Sequence, residues 1–137
     1  MRKKNFYLPV LHILSASFIF FSNSCCKPGT GGEANLIVTL QHHGNSIKSK
    51  VGWVDTVFVK FNATELGNTA PGNFDKYFVG TTGTYTIGCD GLKCGKYFLY
   101  GTAMDSAGPY RVTGGLPFVI KHKDRKQSLD VTLAVTE

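Results

Sequence analysis

Cysteine and histidine are the side chains of this sequence with the greatest capacity for chemistry. Cys89 and Cys94 enclose four residues, a wider spacing than the C-x-x-C pattern of redox and metal sites. His42 and His43 are adjacent, so on a strand they point to opposite faces and cannot chelate one ion together with His122. No H-E-x-x-H motif accompanies them. We therefore predict no metal site and no cofactor, with these histidines in solvent at strand ends.

Sequence motifs for catalysis are missing as well. The sequence has no G-x-S-x-G motif, no phosphate-binding loop and no Ser/His/Asp grouping, and its nine acidic residues are dispersed. We predict that the protein is not an enzyme. A metal-dependent enzyme, the least favoured hypothesis, would need His42, His122 and an acidic residue to converge in the fold.

The first 26 residues have the composition of an export signal. Arg2, Lys3 and Lys4 precede a mostly apolar run over 6–21, and small or polar residues follow it. The run is short and interrupted compared with the roughly 20 apolar residues of a membrane-spanning helix. We predict a signal peptide at 1–24 and export of the remaining chain.

A cysteine placed where the signal ends resembles the lipobox of bacterial lipoproteins, in which the thiol is joined to diacylglycerol and the chain is cut just before it. Ser24 fits the position before Cys25, although Ser22 stands where the family usually has leucine; for Cys26 these positions hold Cys25 and Asn23. The resemblance implies lipidation at Cys25, with Cys26 as second choice. It also implies a firm anchor in the cell envelope, expected in the outer membrane of a Gram-negative bacterium. The alternative is a secreted protein with two incidental cysteines.

Export gives Cys89 and Cys94 a structural interpretation, because disulfides form in oxidising compartments. We predict a Cys89–Cys94 bridge that stiffens a hairpin tip, with a redox or metal pair as the alternative. The cysteine of Cys25 and Cys26 that carries no lipid has no predicted role.

Composition indicates one small β-rich domain. Three of the 15 basic residues lie in the signal, which leaves 12 basic against nine acidic residues and a net charge of +3. This modest, scattered charge argues against nucleic acid as the partner. Sixteen glycines, six tyrosines and ten phenylalanines are typical of all-β proteins.

Alternating apolar residues predict about seven short strands, which suggest a single antiparallel β-sandwich over 34–137. The predicted strands cover 34–43, 54–62, Lys76–Val79 at an edge, a hairpin within 82–101, 116–122 and 127–136, with a short extended piece at 47–51. Loops are predicted at 63–73 and 105–115. The Gly/Pro-rich stretch 25–33 is predicted to be a flexible tether between lipid and domain.

The hairpin region carries the pattern L-x-x-G-x-Y-x-L at Leu92, Gly95, Tyr97 and Leu99. It resembles the central hairpin of transthyretin-like, carboxypeptidase-regulatory-like β-sandwich domains. The resemblance implies that sandwich fold and implies little about function. In the pattern itself, Leu92 can cap the open end of a sandwich, and Tyr97 and Leu99 share the inward face.

Phe98 and Tyr100 alternate with that inward pair, and Phe58 faces outward from its own strand by the same logic. If the strands are neighbours, the three form an exposed aromatic stripe of the kind that sugar-binding and protein-binding faces use. The alternative is that the loop 63–73 or the tether covers them.

Two further patterns allow weaker hypotheses. The run 121–126 is basic and could contact anionic lipid or glycan, or it could be a solvated hairpin tip. Asp105-Ser106-Ala107 and Asp55-Thr56-Val57 look like the D-S/T-aliphatic motif of bacterial O-glycosylation, with Ser106 in the more accessible position.

Two functional hypotheses therefore lead. The first is a lipid-anchored, non-enzymatic structural or interaction module that docks to another envelope protein. The second is a carbohydrate-binding module that uses Phe58, Phe98 and Tyr100. Exposure of all three side chains would favour it, and burial under the loop 63–73 would exclude it.

Overall fold

Eight strands form within residues 26–105 and 110–137, which the computed structural model describes. They are β1 (Thr30–His42), β2 (Asn45–Ser46), β3 (Thr56–Phe61), β4 (Lys76–Val79), β5 (Thr86–Leu92), β6 (Gly95–Met104), β7 (Arg111–Ile120) and β8 (Ser128–Ala134). Short 3-10 helices cover Pro71–Asn73 and His122–Asp124. The predicted signal peptide, Cys25 and Ser106 lie outside the described residues.

The strands form two four-stranded sheets, as expected for a β-sandwich. In the first sheet β1 pairs antiparallel with β2 and β5, and parallel with β8. The second sheet has the order β4-β3-β6-β7 and is antiparallel throughout. The prediction of an all-β, antiparallel sandwich is confirmed, with the parallel β1–β8 pair as the one exception among these strand pairings. β7 ends beside the start of β6, at the same end of the sandwich where β1 begins beside Leu92. The chain enters the first sheet from that end, so β8 runs in the same direction as β1.

Alternating side chains fill the space between the sheets. Leu92, Tyr97 and Leu99 are all fully buried, so their inward placement is confirmed. The other large fully buried side chains are Leu36, Val38, Leu40, Val57, Val59, Ile87, Val112, Ile120 and Leu133. The core is thus built from residues two apart on β1, β3, β5, β6 and β8.

A short seam joins the two sheets at β7 and β8. The Thr113 N–H donates to the Thr136 carbonyl at 2.8 Å, and the Thr136 N–H donates to the Thr113 carbonyl at 2.9 Å. A side chain at Gly114 would place its Cβ 2.0 Å from the Ala134 carbonyl oxygen. The backbones therefore come this close only because position 114 lacks a side chain.

β1 and β7 begin well before their predicted first residues. β1 begins at Thr30, and both Thr30 and Ala34 pair with Leu92 through an irregular register, so the tether prediction is wrong over 30–33. β7 begins at Arg111, where the sequence predicts a loop. Pairing with β6 supplies the hydrogen bonds of this glycine-containing stretch, although its own sequence has little alternation.

Candidate functional site

A disulfide fixes the N-terminal segment to the sandwich. Cys26 is bonded to Cys94, 68 positions later in the chain, with the two Cα atoms 5.0 Å apart. The predicted Cys89–Cys94 bridge is wrong, because Cys89 is fully buried on the inward face of β5 opposite Leu36. Among the described residues Cys89 has no disulfide partner. Burial, with a smaller effect of the neighbouring Asp90 charge, raises the pKa of the Cys89 thiol to about 12, so this thiol is protonated and unreactive at neutral pH.

Backbone contacts reinforce that disulfide. The Tyr97 hydroxyl donates to the Lys93 carbonyl at 2.6 Å and accepts from the Gly29 N–H at 3.0 Å. Gly95 has a φ of 149°, and a Cβ there would lie 2.5 Å from the Pro28 nitrogen. The chain from Cys26 to β1 is consequently held against the domain, and the described part of the predicted tether is not free. We call the end of the sandwich that carries Cys26, Pro28, Cys94 and Gly95 the bridge end.

The disulfide also bears on the choice of lipidation site. A sulfur bonded to Cys94 cannot also be joined to diacylglycerol, so the pairing argues against Cys26, the second choice. Cys26 instead acquires the role that the sequence left open for one of the two adjacent cysteines.

The three predicted aromatic ligands do not form an exposed stripe. Phe98 is only 6% exposed, and its ring lies over Gly115, where an added Cβ would be 2.5 Å from Phe98 Cζ. Phe58 and Tyr100 are directly paired across β3 and β6 and remain half-buried. Phe98 is therefore not available to a ligand on this face.

Phe74 covers the other two rings. It stacks on Tyr100 with a centroid separation of 5.6 Å and lies 5.2 Å from the Phe58 ring. Tyr77, on the neighbouring strand β4, lies 6.2 Å from Phe58. We call Phe58, Phe74, Tyr77 and Tyr100 the outer aromatic cluster. Phe74 and Tyr77 are missing from the sequence prediction, although Tyr77 alternates outward on a predicted edge strand.

A cleft of about 520 Å³ lies beside this cluster. Its lining consists of two aromatic rings, the end of the loop that leads into the first 3-10 helix, the first residue of that helix and two polar residues of β7. These residues are Phe58, Tyr100, Asn68, Thr69, Ala70, Pro71, Arg111 and Thr113. The loop 63–73 thus covers part of the aromatic face and leaves an opening that combines ring surfaces with hydrogen-bonding groups.

The histidines do not converge. His42 is 6% exposed, and its Nδ1 lies 2.5 Å from Asp105 Oδ2, so its predicted position in solvent is wrong. His122 follows β7 at the bridge end, whereas Asp105 follows β6 at the opposite, distal end. The ten residues of β6 separate these ends by about 30 Å. Within 26–105 and 110–137 no three His, Cys, Asp or Glu residues are grouped as metal ligands.

Exposed apolar side chains gather at the distal end. Val51 is 85% exposed, Trp53 58% and Tyr110 55%. Trp53 and Val54 line a shallow cleft of about 200 Å³ with Met104 and other residues at the end of β6 and the start of β7. We call Val51, Trp53, Val54 and Tyr110 the distal apolar group. The local signal for it is the turn V-G-W-V, which places three large apolar residues around Gly52 (φ 81°).

Asp55 is a buried acidic residue at the same end. It is 2% exposed, and its Oδ1 has no hydrogen-bond partner among the described atoms. Desolvation raises the pKa of this carboxyl group above its ordinary value, against the opposing effects of a Ser49 hydrogen bond and the Lys50 charge. Because the pKa of Asp55 is higher in the folded than in the unfolded protein, the protonated carboxyl group contributes stability that is fully present below the unfolded pKa. This stability is lost as the pH rises through the folded pKa.

Asp55→Asn is therefore expected to stabilise the protein at pH 7 by about 1 kcal/mol, because it removes the cost of ionising a buried carboxyl group. The gain should vanish at acidic pH, where Asp55 is protonated in both states. Urea unfolding at the two pH values measures the difference. Asp130→Asn, on the exposed face of β8, is the matched control for replacing a carboxyl group by an amide. An equal gain for Asp55→Asn at both pH values would contradict this assignment.

No family model, curated protein or solved structure matches this chain. In the described part of the chain, no helix has the length and apolarity needed to cross a membrane.

Proposed function

We propose that this protein is exported and anchored in the cell envelope, expected in the outer membrane, by a lipid on Cys25. The export signal and lipobox resemblance of the first 26 residues support this proposal. The Cys26–Cys94 disulfide suits an oxidising compartment outside the cytoplasm. It also gives Cys26 a structural role, which supports Cys25 over Cys26 as the lipidated residue.

Within the envelope, the protein acts as a non-enzymatic module that docks to another envelope protein. The observation that carries this proposal is the distal apolar group, in which Trp53 is 58% exposed. Exposed tryptophan and tyrosine side chains are common anchors of protein interfaces, because they bury a large area with few rotatable bonds. The group lies at the end of the sandwich away from Cys26, where an anchored module would meet a partner.

Site-specific photo-crosslinking in intact envelopes tests this role. A crosslinking residue at position 53 should capture one discrete partner, whereas the same residue at Val119, which is similarly exposed at the other end of β7, should not. Trp53→Ala/Val54→Ala should reduce co-purification of that partner by roughly tenfold, as expected for an interface anchor. Unchanged co-purification would contradict docking through this group.

Carbohydrate binding by an exposed stripe of all three predicted rings is excluded, because Phe98 is buried. The second candidate is therefore a smaller sugar site in the cleft beside the outer aromatic cluster, which does not use Phe98. Tyr100 and Phe58 offer ring surface, and Arg111 and Thr113 offer hydrogen-bonding groups for sugar hydroxyls. Binding to a panel of polysaccharides and peptidoglycan should be lost in Tyr100→Ala and retained in Tyr85→Ala, an exposed tyrosine before β5. No binding by the unmodified protein would dismiss this candidate.

A further inference from the structure

Basic residues concentrate at the bridge end of the sandwich. Seven exposed basic side chains lie there: Lys27, Lys93, Lys96, Lys121, Lys123, Arg125 and Lys126. The accompanying acidic residues are Glu33, Asp90 and Asp124, so this end has a net charge of +4. The remaining chain after the signal has five basic and six acidic residues, a net charge of −1. The overall value of +3 therefore conceals an excess of basic residues at the bridge end.

The contacts of the described residues establish this grouping. Ile120, which precedes the basic run 121–126, pairs with Gly95, the residue after Cys94. Lys27, Lys93 and Arg125 line one open cleft of about 410 Å³ with Cys94. Segments far apart in the chain thus place their cations around the disulfide.

The same disulfide determines what this end can face. Cys26 is bonded to the domain, so a lipid on the preceding residue would be separated from the sandwich by one residue, or about 3.5 Å of chain. The screening length at physiological ionic strength is about 8 Å. The cations around Cys94 would then lie close enough to the bilayer surface for their attraction to lipid phosphates to survive screening by salt.

We propose that the bridge end binds the phosphate groups of anionic phospholipid headgroups in the leaflet that holds the anchor. Lys93, Lys123 and Arg125 are exposed and come from the two segments that meet at this end, so they represent this surface in the vesicle experiment. Lys126 is instead paired with Glu33 at 3.0 Å. Arginine and lysine side chains suit this role, since guanidinium and ammonium groups both donate to phosphate oxygens. The placement of this surface rests on the proposed lipid anchor, and the contact would direct the distal apolar group away from the membrane.

Vesicle co-sedimentation tests the surface separately from the anchor. The exported chain 25–137 carrying Cys25→Ser, which lacks the basic and apolar signal and cannot be lipidated at that position, is mixed with phosphatidylcholine vesicles or with vesicles containing about one-third phosphatidylglycerol. Binding to the anionic vesicles should be roughly tenfold stronger at low salt and should fall as salt is added. Lys93→Glu/Lys123→Glu/Arg125→Glu should reduce it to the phosphatidylcholine level.

The matched control reverses three basic residues outside the bridge end, with the same change in net charge. Lys48→Glu/Lys50→Glu/Lys76→Glu should retain binding, and near-ultraviolet circular dichroism checks that both variants are folded. If the triple variant does not fold, the corresponding glutamine variant, which should also bind more weakly, takes its place. Equal binding to both vesicle types, or an equal loss in the control, would overturn the proposal. Fatty-acid labelling of the unmodified chain and of Cys25→Ser reports the anchor independently, so either failure is recognised on its own.

Discussion

Replacing Cys26 by serine is expected to lower the free energy of unfolding by about 4 kcal/mol. The disulfide closes a loop between residues 68 positions apart, and loops of this length remove much conformational entropy from the unfolded chain. For a domain of this size the melting temperature should fall by about 20 °C. Thermal unfolding followed by circular dichroism measures the change.

A reductant and a second variant identify the bridge. Dithiothreitol should bring the melting temperature of the unmodified protein close to that of Cys26→Ser and should leave that variant unchanged. Cys89→Ser should remain sensitive to the reductant, because Cys89 is a buried thiol outside the bridge. If reductant sensitivity disappeared in Cys89→Ser and persisted in Cys26→Ser, the pairing described above would be wrong.

Replacing Gly114 by alanine is expected to destabilise the fold by about 3 kcal/mol or more. Its Cβ would lie 2.0 Å from the Ala134 oxygen and 3.0 Å from the Val135 Cα. Both atoms belong to the backbone, so no side-chain rotation relieves the overlap. The seam must open, and the two Thr113–Thr136 hydrogen bonds are expected to break with it.

Urea unfolding and amide hydrogen exchange measure this effect. Exchange at Thr113 and Thr136 should accelerate more than exchange at the pair Phe58 and Tyr100 in the middle of the second sheet. Gly67→Ala is the control, because a Cβ at position 67 meets no atom within 4 Å, and its stability should be unchanged. Unaltered exchange at Thr113 and Thr136 in Gly114→Ala would show that the seam stays closed around the added side chain, which would contradict this prediction.

If both proposals hold, the Cys26–Cys94 bridge does more than stabilise the chain. It would remove the freedom of the segment after the anchor, so that the sandwich keeps one orientation towards the bilayer. Loss of the bridge would then weaken orientation as well as stability, since the basic residues around Cys94 would no longer be held beside the anchored residue.

Local periodicity was enough to predict the β-sandwich class and most of its strands. Leu92, Tyr97 and Leu99 are buried as their spacing indicates, because a strand turns its side chains to alternate faces whatever its neighbours are. The edge position of Lys76–Val79 is likewise found. The export signal and the lipobox resemblance are also properties of the sequence alone, and they remain predictions.

Contacts between distant residues were decided only by the tertiary structure. The bridge from Cys26 to Cys94, the parallel pairing of β1 with β8, and the cover of Phe74 over Phe58 and Tyr100 all join segments whose separation hides their proximity. The sequence favoured a Cys89–Cys94 bridge because these two cysteines are close along the chain, and a sequence does not show which distant cysteines meet in space. In the fold, Cys89 is buried on the inward face of β5, so it cannot reach a partner at the surface. The grouping of basic residues was hidden for the same reason, because a net charge does not say where the charged side chains lie in the fold. Only folding places Lys27, Lys93 and Arg125 around one disulfide.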